Sequence, residues 1–89
     1  MDLEELFEAA FGAVILTGFD EAIIGLAEEF GNGPRILYSR EKILQIMVER
    51  DGMTHDEAME FYDFNILGLH AGEQNPIILY ETFNKNLVC

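Results

Sequence analysis

The sequence predicts an α+β domain: a small, largely antiparallel sheet of three to four strands with helices packed on one face, including a tight αα unit. Three observations predict it. Apolar, strand-like runs stand on either side of the turn-forming tetrapeptide Gly31-Asn32-Gly33-Pro34. Two stretches with apolar residues at helical spacing follow, joined only by Gly52, Met53 and Thr54. A last β-branched run comes after Asn75-Pro76, so strand and helix signals alternate within one short chain.

Asp2 and Glu5 have the form of an N-cap and its capping-box partner. Leu3, Leu6, Phe7, Ala10 and Phe11 recur at helical spacing, so a short N-terminal helix is expected over 3–11, ending at Gly12. Ala13 to Thr17, bounded by Gly12 and Gly18, reads as a buried strand, and Gly18-Phe19-Asp20 as a turn. Ala22 to Glu28 reads as a second strand, with Gly25 marking a bulge or a close backbone approach. Glu21, Ala22, Leu26 and Ala27 make helix the competing reading there. The turn at Gly31–Pro34 should join this strand to an antiparallel neighbour, Arg35 to Tyr38.

Ser39 is a suitable N-cap for a helix filled by Ile43, Leu44, Ile46, Met47 and Val48, with Gly52 just past its end. Thr54 and Glu57 form a capping box for the next helix, and Met53 with Ala58 has the spacing of a hydrophobic staple. Ala58, Phe61, Tyr62, Ile66 and Leu69 make its apolar stripe, closed by Gly68 or Gly72. Ile77 to Tyr80 is the last strand, and 84–89 reads as a frayed tail. No repeat or linker interrupts residues 1–89, which read as a single domain. A chain of this size buries roughly 60–65% of its unfolded surface, enough to fold alone.

Charge narrows the function. Seventeen acidic residues stand against five basic ones, for a net charge of −12. The balance is −8 over 1–34, +2 over 35–50 and −6 over 51–89. Such a field disfavours nucleic acid or an anionic membrane as partner. The αα unit is therefore not expected to read DNA, since its second helix carries Asp56, Glu57, Glu60 and Asp63. Arg35, Arg40, Lys42 and Arg50 form a basic island, most simply neutralised by an acidic face of the same fold. The longest uncharged run, Ala9 to Phe19, is eleven residues, against about 20 for a membrane span. Acidic residues at positions 2, 4 and 5 stand where a secretory leader is basic, so a cytoplasmic protein is expected.

Asp56, Glu60 and Asp63 fall at i, i+4 and i+7, one stripe of a helix. The bland reading is a solvated face; the functional one is a protein-binding surface. A hard cation wants six or so oxygens from a shaped loop, which a helix face does not supply. His55 and His70 have no Ser or Cys near in sequence, and the single cysteine, Cys89, can close no disulfide within the chain. No catalytic residue, cofactor or metal site is expected, and the protein reads as non-enzymatic. Asn65, between Phe61 and Leu69, is expected to be a buried amide tying the helix to the loop at 72–76 or to a strand end, with a ligand contact as the sharper alternative. Phe61, Tyr62 and Phe64 cannot share one helix face, so at least one should stand at a rim.

The run Asp51-Gly52-Met53-Thr54, then Glu57-Ala58, Glu60-Phe61, Phe64-Asn65, Gly68, Gly72-Glu73 and Pro76 resembles a family of small proteins of tailed phages and bacteria. Gly18-Phe19-Asp20-Glu21-Ala22, Ile24-Gly25 and the run from Tyr38 to Lys42 are similar too, so the likeness spans about residues 18–79. Glu28-Glu29 depart from it, standing where the family pattern is basic, and the leading helix is an extension. The resemblance implies an origin and no mechanism.

These readings converge on a small acidic phage-type accessory protein that binds and modulates a host protein with a basic surface, as a DNA-mimicking inhibitor would. Asp56, Glu60 and Asp63 would carry the binding; Gly52, Thr54, Glu57 and Asn65 would have structural roles. The alternatives are a structural or accessory homo-oligomer, such as a homodimer, without an inhibitory role, and a small-molecule or metal binder around Asn65 and His70.

Overall fold

The computed structural model describes residues 1–68 and 75–82. Expectations placed on Leu69, His70, Gly72, Glu73, Cys89 and the tail at 84–89 lie outside the described residues. In chain order the elements are α1 (Leu3–Ala9), a 3₁₀ turn (Asp20–Ala22), β1 (Ile23–Glu29), β2 (Asn32–Ser39), α2 (Arg40–Asp51), α3 (His55–Asn65) and β3 (Ile77–Leu79). The sheet order is β1-β2-β3. β1 and β2 are antiparallel, whereas β3 lies parallel to β2, so the sheet is mixed. The parallel step follows from connectivity: α2 and α3 fill the crossover from β2 to β3.

The segment read as strand over 22–28 is strand from Ile23 to Glu29 and not helix, with Ala22 closing the 3₁₀ turn before it, and Gly31 does join antiparallel neighbours. The turn itself is tighter than expected. Glu29 pairs with Asn32, leaving Phe30-Gly31 as a two-residue loop with Gly31 at φ +80°. From Glu29–Asn32 to Ala27–Arg35 the register advances two residues on β1 and three on β2. The extra residue falls at Gly33-Pro34, where a bulge accommodates a proline that cannot donate to the ladder. A second irregularity lies between Ile23 and Gly25, beside the glycine that signalled one.

Two expectations fail near the N-terminus. The helix expected over 3–11 ends at Ala9, with Ala10 as its C-cap and Gly12 turned left-handed at φ +88°. It buries Leu6 and Ala10, but Leu3 and Phe11 of the expected apolar face stay exposed. The strand expected over 13–17 does not form. Its backbone donors go elsewhere: Ala13 N–H to the Ala10 carbonyl (2.9 Å) and Leu16 N–H to the Tyr38 hydroxyl (2.8 Å). The segment packs by burying Leu16 rather than by pairing.

Ile36 and Tyr38 point from one face of β2 into the core and are fully buried. Ile43, Leu44 and Met47 of α2, Ala58 and Tyr62 of α3, and Leu6 of α1 meet them there. Ser39 closes β2 and opens α2. Its hydroxyl accepts from Lys42 N–H (3.2 Å) and donates to the Glu81 carboxylate (2.8 Å), tying the chain after β3 to the start of α2. Gly52 at φ +70° ends α2, and the Gly52 and Met53 N–H groups both turn back to the Met47 carbonyl.

Candidate functional site

The third helix is positioned by its own first turn. Thr54 Oγ1 accepts from Glu57 N–H (3.1 Å), and Glu57 Oε1 accepts from Thr54 N–H (2.9 Å), completing the expected capping box. These bonds hold the Glu57 carboxyl below the usual carboxylate range. Met53, just before the cap, packs on the core as a staple residue should. Ala58, Tyr62 and Ile66 then turn inward at i, i+4 and i+8. Burial pushes the Tyr62 phenol up, against the nearby Arg40 guanidinium.

Fixing that inward face fixes the outward one. Asp56, Glu60 and Asp63 are all exposed on one side of α3. Among the described residues none of the three carboxylates makes an ion pair or a hydrogen bond. The basic island does not cover them. The Arg40 guanidinium lies over two rings, 4.1 Å from the centroid of Tyr80 and 5.1 Å from that of Tyr62. Arg50 donates to the Gly18 carbonyl (2.6 Å) and to Asp51 (3.0 Å), and lies 5.1 Å from the Phe19 ring centroid. Gly18 has φ +88°, and a Cβ there would stand 3.2 Å from Arg50 Nη1.

On the other side of the outward face stand Phe61, 41% exposed, and Phe64, 75% exposed, while Tyr62 between them is buried. The expectation that one of these three rings reaches a rim is met twice over. Met53, Glu57, Glu60, Phe61, Phe64 and Asn65 line an open cleft of about 480 Å³. Sequence reasoning had the rim aromatics and the acidic stripe, but not their junction. The signal was present: on a helical wheel Phe64 falls between Glu57 and Glu60.

Asn65 is exposed rather than buried, and its amide donates to the Phe61 carbonyl of its own helix (3.2 Å). An exposed amide has water as an alternative partner, so it serves as a helix-end bond and not as a core bridge. His55 is exposed at the start of α3 and borders a second, larger cleft of about 610 Å³ with Arg40, Leu44, Val48, Tyr80 and Glu81. Two charged groups there are already engaged, Arg40 by rings and Glu81 by Ser39. Among the described residues no group of three or more His, Cys, Asp or Glu side chains is placed to hold a metal ion. No helix among them is long and apolar enough to cross a membrane. No protein-family model, no curated protein and no solved structure matches the chain.

Proposed function

We propose that this protein is a non-enzymatic acidic binding protein that captures a partner protein with a basic surface. The observation that carries the reading is the inequality between its charges. Asp56, Glu60 and Asp63 stand exposed with no counter-ion among the described residues, while Arg40 and Arg50 are held by rings, a backbone carbonyl and Asp51. These three carboxylates thus face outward on a chain of net charge −12, a field that steers cationic surfaces and repels phosphate. The resemblance to phage-type proteins supports a host protein as target and a cytoplasmic setting; the acidic surface supports inhibition by occupying a surface meant for nucleic acid.

The test replaces all three carboxylates by Asn or Gln, which keeps shape and helix. Exposed carboxylates contribute little to stability, so folding should be unchanged. Affinity capture from host lysate with mass spectrometry supplies the partner. Its association rate should fall on the order of tenfold in the triple variant at low salt. The wild-type rate should itself fall as salt shortens the screening length to about 8 Å. Equal association rates for the two proteins at low salt would remove this stripe from the mechanism.

A further inference from the structure

Phe64 is a phenyl ring left three-quarters in water by a domain small enough to need every ring it can bury. It does not stand alone. Phe61 lies one turn before it and Met53 flanks the same cleft. Leu67, one step beyond, is also exposed. Contiguous apolar surface rimmed by charge marks an interaction site more often than scattered exposed residues do. The rim here has one sign. Glu57 and Glu60 line the cleft itself, and Asp56 and Asp63 stand beside it on the same helix, which carries no Lys or Arg.

That sign selects the occupant. A second copy of this chain would bring four more carboxylates of α3 against these four, so like charges oppose self-pairing through this face. A cationic partner gains twice: ammonium or guanidinium groups meet carboxylates, and Arg or Lys can also lie over the phenyl faces. The cleft runs along one side of an eleven-residue helix, about 16 Å long, with side chains repeating at i, i+3 and i+4. A second helix presents side chains at the same repeat, and an amphipathic one can seat apolar residues on the rings.

Building on the capture of a basic partner, we infer that the cleft of Met53, Glu57, Glu60, Phe61, Phe64 and Asn65 docks a basic amphipathic helix. Its leucine-like side chains would lie on Phe61 and Phe64 and its Lys or Arg side chains on Glu57 and Glu60. The stripe governs arrival; the rings govern how long the partner stays, because desolvated aromatic anchors set dissociation.

The probe is a synthetic Lys/Leu peptide with its leucines on one helical face, compared with a scrambled peptide of the same composition. Binding is read by fluorescence anisotropy at low and near-physiological salt. The wild type should bind the amphipathic peptide at least about tenfold more tightly than the scrambled one. Phe64→Ala should remove most of that difference without changing affinity for the scrambled peptide, whereas the triple carboxylate variant should weaken both alike. Phe64 is exposed, so its alanine variant keeps the fold, which circular dichroism checks. Phe61→Ala should act in the same direction. Phe11, 92% exposed beside Glu8 in a cleft on α1, is the control. If Phe11→Ala abolishes the preference and Phe64→Ala does not, the assignment to α3 is overturned. If the wild type binds both peptides equally and loses both with salt, the docking cleft fails while charge-led capture stands. If it binds neither, both fail. A dimer in sedimentation that Phe64→Ala dissolves would put a second copy in the cleft instead.

Discussion

Tyr38 shows how one side chain can decide the path of a segment that never joins the sheet. Its ring is fully buried beside Ile36, and its hydroxyl receives the Leu16 N–H. Tyr38→Phe keeps the ring and leaves that buried N–H without a partner, which should cost about 1–3 kcal/mol in chemical denaturation. The same residue makes a pH prediction. Burial raises its phenol above the ordinary value of about 10, so the unfolded chain releases the proton first. The stabilisation is complete below that ordinary value and is lost as pH climbs through the raised one. Wild type should therefore lose stability above about pH 10 more steeply than Tyr38→Phe, in denaturation midpoints measured across the alkaline range. None of this was legible in the sequence. A tyrosine hydroxyl bonding a backbone group twenty-two residues away leaves no local pattern.

Among the elements, α3 rests most on its cap. Thr54→Ala removes the acceptor for Glu57 N–H and should cost about 1 kcal/mol, a fall of about 4–8 °C in thermal midpoint for a domain of this size. An unchanged midpoint would mean the helix is held by Tyr62 and Ala58 alone. Helix starts were legible because caps are local: Asp2, Ser39 and Thr54 each accept the N–H three residues on, as their residue types suggested. The acidic stripe was legible for the same reason, since helical period alone places Asp56, Glu60 and Asp63 together. Failures came where a local pattern has two tertiary outcomes. Ala13 to Thr17 is apolar and β-branched whether it pairs or packs as coil. Asn65 looked buried from its neighbours Phe61 and Leu69, but the helix turns its inward face to Ala58, Tyr62 and Ile66 instead. The parallel setting of β3 depends on a crossover that no short window contains.

At the scale of the molecule, charge works against folding as well as for recognition. A net charge of −12 on a chain of 89 residues repels itself in the compact state. The ion pair shown in the basic island, Arg50 with Asp51, joins chain neighbours on the surface and contributes little. Added sodium chloride should then raise the thermal midpoint by a few degrees, because screening relieves more repulsion than it removes attraction. A midpoint that falls with salt in calorimetry would show that attractive pairs dominate. Stability and partner capture should thus respond to salt in opposite directions.

The crossover that sets β3 beside β2 also orders events in time. Leu26 pairs with Ile36 across a two-residue loop, but Leu37 must wait for Ile77, forty residues further along. Closing the longer loop costs more entropy, so the hairpin and the helix pair should assemble first and β3 last, an order that pulsed hydrogen exchange during refolding would read as late protection of Ile77 to Leu79. During that interval the central strand has a naked edge, the kind of template on which unfinished chains aggregate. The same negative charge that destabilises the finished domain keeps two such intermediates apart, trading equilibrium stability for a safer route to the native state.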